Sequence, residues 1–202
     1  MEYKTKTIDV LLDEIVEDKY DNLSTTSKLF KSDLWDFFQG FEGRCAMEFG
    51  THKGQTTRIL SYLFDTVYTI NLPGGFEKAQ ALNEDRNNIQ YIGYDLYANV
   101  ETNKFPLHKP ISMFFIDAVH TFDAVLSDFV RATNCRVADD EVYFVFDDYG
   151  LERDVFHAVN QLLFTKRLSK VKYIGHSPRH SFGGHPERVL QDWEGIITKL
   201  NK

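Results

Sequence analysis

The apolar positions along this chain follow two rhythms. Near the start, Ile8, Leu11, Leu12 and Ile15 recur at three- and four-residue spacing and line one face of a helix. Leu29, Phe30, Leu34, Phe37 and Phe38 repeat that spacing, and Gly40 ends it. From Arg44 onward, short β-branched or aromatic runs alternate with helix-spaced ones. Strands are predicted over 44–49, 66–70, 89–92, 111–116, 142–146 and 171–174, with a last one within 188–197. Helices are predicted over 55–64, 76–85, 122–133 and 155–164, with a turn at Pro73, Gly74 and Gly75.

Strands separated by helices favour a mostly parallel sheet with helices on both faces, an α/β fold of the Rossmann-like kind. The near-continuous apolar runs Met113–Ile116 and Tyr143–Phe146 fit central strands. The chain has no internal repeat and no low-complexity linker. It divides into a helical extension over 1–40, packed on a core over 41–202, within one domain overall. The extension either covers a sheet edge or helps to wall an acceptor pocket, and the two uses are compatible. Sheets of this kind bind ligands outside the carboxyl ends of their strands. Glu48, Asp117, Asp147 and Asp148 fall at such ends.

Composition narrows the function classes. With 202 residues, 43% hydrophobic and 26% charged, the chain can bury a substantial core. A net charge of −7 argues against a broad phosphate-tracking surface, so no nucleic-acid partner is expected. Lys166, Arg167, Lys170 and Lys172 read as a solvated helix end and loop. Cys45 and Cys135 lack C-x-x-C spacing and suggest no disulfide scaffold; Cys45 reads as a small buried hydrophobe. No apolar stretch approaches the roughly twenty residues of a membrane span. The first residues lack a signal-peptide apolar region, and a reducing cytoplasm is the expected location. An oligomer is left open.

The chemistry begins at 46–57, where an apolar run ends at Glu48 and Gly50 and a helical run follows Gly54. A strand, a tight turn and a helix N-terminus expose backbone N–H groups, and glycine lets a ligand approach the main chain. Two phosphate-binding patterns fail here. Gln55 stands after Gly54 where a Walker A loop needs lysine. The spacing G-x-x-x-G is not the G-x-G-x-x-G of a dinucleotide site.

Two further strands stop at carboxylates: one at Asp117, followed by Ala118, Val119 and His120, the other at Asp147 and Asp148, followed by Tyr149. Three converging carboxylates repel one another, and a hard divalent cation with oxygen ligands removes that cost. Singly, each Asp could be a helix N-cap. Together, at the ligand-binding edge, they favour a metal.

The pattern E-x-G-x-x-x-G, with F-I-D-x-x-H and D-D-Y downstream, resembles class I S-adenosylmethionine (SAM) methyltransferases. It is most similar to the metal-dependent macrocin-type sugar O-methyltransferases, and more distantly to the catechol O-methyltransferase group. The resemblance covers about 44–150. It implies that Glu48, Gly50, Thr51 and Gly54 shape the pocket for the amino-acid part of SAM, with His52 and Lys53 supplying backbone. It implies that Asn71 meets the ribose, where the family usually has an acid, and that Asp95 lies near the adenine. Asp117 would serve both cofactor and metal; Asp117, Asp147 and Asp148 would hold Mg²⁺ or Mn²⁺, and His120 would be the base. The activity implied is methyl transfer to a hydroxyl of a small diol-like acceptor. Asn71 also fits a non-catalytic SAM- or nucleoside-binding sensor.

Other candidates are weaker. His176, His180 and His185 fall among glycines and prolines, so they fix no zinc geometry. Arg179 could meet an acidic acceptor, and Tyr149 could line a substrate pocket. No G-x-S-x-G nucleophile elbow occurs.

Overall fold

The computed structural model describes residues 6–15, 26–41, 43–98, 105–176 and 191–202. The alternating runs form seven strands: β1 (Cys45–Phe49), β2 (Thr66–Asn71), β3 (Ile89–Gly93), β4 (Met113–Ile116), β5 (Tyr143–Phe146), β6 (Leu168–Ile174) and β7 (Gly195–Leu200). They make one sheet in the order β3-β2-β1-β4-β5-β7-β6. Only β7 is reversed; it runs antiparallel to β5 and β6, while the other pairs are parallel. The carboxyl ends of β1 to β5 therefore share one edge with the start of β7.

The helices are α1 (Ile8–Ile15), α2 (Lys28–Phe38), α3 (Gln55–Leu63), α4 (Glu77–Leu82), α5 (Phe122–Thr133) and α6 (Arg153–Phe164). Strand alternation divides the core in two. Phe49, Phe114, Ile116, Phe144 and Phe146 face α5 and α6, packing with Phe129, Val155 and Val159. Ala46, Met113, Phe115 and Val145 face the other way, against Leu11, Phe30, Leu34, Ile59 and Leu60 of α1 to α3. The two N-terminal helices are thus part of the second core layer. Ser27 starts α2, its side chain accepting from Phe30 N at 3.0 Å. Gln55 Nε2 donates to Ile15 O at 2.7 Å, and Arg58 bonds Glu14 and Asp85, so α1 is fixed to α3.

The predicted elements all form, with shifted ends. The run at 111–116 becomes a strand only from Met113, because Ile111 bridges Val137 instead. The strand predicted at 171–174 extends back to Leu168. Its polar Ser169 and Lys170 hid the extension, since an edge strand carries polar side chains without cost. Lys170 and Lys172 therefore lie on β6, with a bulge between them, and not in a loop; all four basic side chains at 166–172 are exposed. The last strand begins at Gly195, later than 188, and runs on to Leu200. Cys45 is buried, as expected. Among the described residues no helix is long and apolar enough to cross a membrane.

Candidate functional site

The corner after β1 is built around a missing side chain. Gly50 has φ 100, and a Cβ there would lie 2.0 Å from the backbone oxygen of Asp117. The turn can cross the end of β4 only with glycine. Gly50 N donates to Ile70 O and Asp117 N to Phe49 O, which locks the ends of β1, β2 and β4 together. Gly54, at φ 76, is the N-cap of α3 and packs so closely on Ala79 that a Cβ would sit 2.6 Å from that residue's own.

Glu48 lies beneath this corner and does not line the cavity. Its Oε2 accepts from Thr57 Oγ1 at 2.5 Å and from Thr69 Oγ1 at 2.6 Å. With the Thr69 proton committed to Glu48, Thr51 Oγ1 donates to Thr69 at 2.6 Å. The chain Thr51–Thr69–Glu48–Thr57 ties the turn to β2 and α3. Burial pushes the Glu48 carboxyl up to about 8, against the two hydroxyl bonds that lower it. Thr51 and Gly54 are likewise buried behind the wall.

At the ends of β4 and β5 the acids gather around an imidazole. His120 Nε2 lies 3.2 Å from Asp117 Oδ1, and His120 Nδ1 lies 3.2 Å from Asp148 Oδ2. The Asp117 bond, helped by the Asp148 charge, raises His120 to about 9 against the opposing effect of burial. Burial, then the charge of Asp117, lifts Asp148 to about 6, although His120 pulls the other way. Asp147 is buried, and burial followed by the charges of Asp148, Asp117 and Glu194 holds it well above the usual carboxylate range. Its Oδ1 has no hydrogen-bond partner among the described residues. None of the three aspartates is a helix cap: Thr121 caps α5 and Glu152 caps α6. Asp148 holds φ 53, an unusual backbone that aims its side chain at His120.

These groups share one cavity of about 590 Å³, within the roughly 300–1,000 Å³ of small-ligand sites. Gly50, Asn71, Asp95, Asp117, His120, Asp147 and Asp148 all line it, as does His52. Asn71 Nδ2 is engaged with Gly75 O at 2.8 Å. Asp95 Oδ1 accepts from Tyr97 N and Ala98 N, closing a turn at the cavity rim. Ile70, Leu72 and Leu96 add an apolar wall after β2 and β3. Tyr97 also lines it, and its hydroxyl donates to the buried Asp128 Oδ2 at 2.8 Å.

Sequence reasoning missed Glu194, which lies on the wall just before β7. It stands opposite Asp148, because Phe146 pairs with Ile196 across the antiparallel β5–β7 register. Tyr149, in contrast, is buried and does not line the cavity. It stacks with Tyr173 at 5.9 Å and packs on Phe156, so the core claims the ring. His176 is exposed, while Arg179, His180 and His185 lie outside the described residues.

No protein-family model matches the chain, and no curated protein matches it in sequence. Solved structures match it in fold. The O-methyltransferase TomG from Streptomyces achromogenes, involved in tomaymycin synthesis and solved with SAM, aligns with a TM-score of 0.64 at 15% identity, covering 99% of this chain and 89% of that one. The O-methyltransferase from Bacillus cereus, solved with S-adenosylhomocysteine (SAH), aligns at 0.63 and 12% identity over 96% of this chain and 90% of that one. A SAM-dependent methyltransferase from Aquifex aeolicus aligns at 0.57 and 16% identity over 98% of this chain and all of its own, 100%. The chain therefore has the Rossmann-like fold of the class I methyltransferases, a seven-stranded, mostly parallel sheet between helical layers.

Proposed function

We propose that this protein transfers a methyl group from SAM to a hydroxyl of a small-molecule acceptor, a sugar or another diol, with a divalent cation at the acidic edge of the sheet. One observation carries the reading: a bare glycine corner at Gly50 and the Asp117–His120–Asp148 cluster face the same cavity.

The cavity divides by strand. The ends of β1, β2 and β3 offer the cofactor half. There Gly50 exposes backbone, Asn71 can meet ribose hydroxyls, and Asp95 lies beside the apolar wall that suits a nucleobase. Glu48, Thr51 and Gly54 serve from behind by fixing the corner. The ends of β4 and β5, with the start of β7, offer the acceptor half.

The donor set fits a metal. Asp117, His120 and Asp148 each offer a ligand atom, all within 4.8 Å of one another. Asp147 adds a buried carboxylate with an unpartnered oxygen. In this reading Asp117, Asp147 and Asp148 hold Mg²⁺ or Mn²⁺, for which oxygen donors are suited. When bound, such an ion would act as a Lewis acid on the acceptor hydroxyl and offset the carboxylate charge. Asp117 and Asp148 hold the imidazole of His120 between them, one at each ring nitrogen, so a base role needs one of these contacts to give way when the carboxylates turn to the ion. While both carboxylates are uncompensated, His120 keeps its proton and cannot serve as a base. Once their charge is offset, it returns toward its ordinary 6.5 and can take the hydroxyl proton. Rigid placement of the two halves supplies the in-line approach of oxygen to the methyl carbon.

Methyl transfer to a panel of diols, with and without EDTA, tests this. Turnover lost on chelation supports the reading, and equal turnover removes the metal. SAM or SAH binding without turnover, unaffected by Asp117→Ala, would instead favour a sensor. No binding of either ligand rejects both.

A further inference from the structure

Among the described residues of the cavity wall, Glu194 is the acid that the methyl-transfer scheme leaves without a task. It is 3% exposed. Its Oε1 accepts from Ser27 N at 2.7 Å, which fixes the side chain against the start of α2. Its Oε2 has no hydrogen-bond partner among the described residues. Gly175, at φ 84, makes room for the Glu194 side chain itself, since a Cβ there would lie 2.6 Å from both its Cβ and Oε2. Burial raises the Glu194 carboxyl to about 7, against the Ser27 bonds and the Lys31 charge that lower it, and a donor brought to Oε2 would relieve that cost.

The surroundings define that donor. The described wall carries five carboxylates, Asp95, Asp117, Asp147, Asp148 and Glu194, with His52 and His120 and no lysine or arginine. Among the described residues, Lys31 is a cation whose charge acts on Glu194. It is buried behind Ser27, where its Nζ donates to Thr26 O, and it does not line the cavity. Asp148 and Asp147 add negative potential on the open side. A neutral hydroxyl could donate to Glu194, but a cationic donor gains from the whole field and forms the stronger, charge-assisted bond. Glu194 stands at the start of β7, beyond β4 and β5, so the sheet order places it at the end of the acceptor half farthest from Gly50.

We propose that Glu194 anchors a cationic amine on the acceptor, so that the substrate is an amino alcohol or amino sugar whose ammonium docks at the β5–β7 end while its hydroxyl lies beside Asp117 and His120. This rests on the methyl-transfer reading for the hydroxyl, but amine recognition can be measured without it. The probes are matched pairs, 2-amino-1,3-propanediol against glycerol and glucosamine against glucose. Binding is followed by ligand-observed NMR at pH 7, with and without SAH and Mg²⁺. The amine of each pair should bind about tenfold more tightly to the wild type, as expected for a charge-assisted bond. Glu194→Gln keeps the acceptor oxygen for Ser27 N. It should bring the preference below about twofold while leaving SAH affinity unchanged. Equal binding within each pair to the wild type, no binding of either amine, or a preference that survives in E194Q would overturn the proposal. Amine preference without SAH binding would keep the anchor and reject the methyl-transfer reading; SAH binding and turnover without amine preference would do the reverse.

Discussion

Metal binding at this site should expel protons, because the groups that would meet the ion are raised. His120 bridges Asp117 and Asp148 at 3.2 Å on each side and is raised to about 9. Two pH units below that value, about 99% of the imidazole carries its proton. A cation placed on the same two carboxylates meets that imidazolium as a competitor. At least one proton, that of His120, should therefore leave per ion bound near pH 7, and the raised carboxyl of Asp147 adds to the count where it ligates. The apparent affinity should rise nearly tenfold per pH unit from 7 toward 9 and flatten above. His120→Gln removes one competitor and should lower the number of protons released per Mn²⁺ at pH 7 by about one. Calorimetric titration with Mn²⁺ in PIPES and in Tris, which differ in ionisation heat, counts the protons. An affinity that is flat across this range, with heats independent of buffer, would refute the competition and with it the placing of the ion on Asp117 and Asp148.

Three other outcomes follow from the coordinates. Gly50→Ala must move either the β1 corner or the Asp117 carbonyl, at a cost of roughly 2–4 kcal/mol, and should abolish SAH binding; Gly74→Ala, with φ 84 but nothing within 4 Å, is the control and should lose only about 1 kcal/mol by urea unfolding. Glu48 is raised from 4.5 to about 8, so the folded state holds its proton longer than the unfolded chain. Its contribution is complete below pH 4.5 and lost as pH rises toward 8, in total roughly 3–5 kcal/mol. The stability of Glu48→Gln relative to wild type should accordingly rise between pH 5 and pH 8, and a difference independent of pH would contradict the burial argument. Asn71→Asp gives the ribose position a charge-assisted acceptor and should tighten SAH about fivefold by calorimetry, even though the Nδ2 bond to Gly75 O is lost.

The fold was legible because its signals are local. Thr121 and the 3.6-residue rhythm after it set α5, and the bounds Phe122–Thr133 match the predicted 122–133. The apolar runs of β4 and β5 announced central strands, and the sheet places them there. Parallel strands bring Asp117, His120 and Asp148 to one edge; sequence reasoning groups Asp117 with Asp147 and Asp148 as ligands, and buried Asp147 falls outside the group whose ligand atoms lie within 4.8 Å. Glu194 was not readable, since only the reversed β7 sets it opposite Asp148. Glu48 carries the right letter in the right place, yet side-chain alternation along β1 turns it beneath the corner, toward Thr57 and Thr69. Tyr149 follows two cavity aspartates, but the backbone turns at Asp148, and the ring joins Tyr173 and Phe156 instead. Sequence neighbours share a cavity only when the backbone lets them.

Crystals grown with Mn²⁺ and SAH would show, in an anomalous difference map, whether an ion sits at this edge of the sheet. A peak is expected at the ends of β4 and β5 with carboxylate oxygens of Asp117 and Asp148 about 2 Å away, and nucleoside density running from Gly50 past Asn71. An ordered nucleoside with no metal peak there, even at high Mn²⁺ and pH 9, or a peak on other residues, would contradict that expectation.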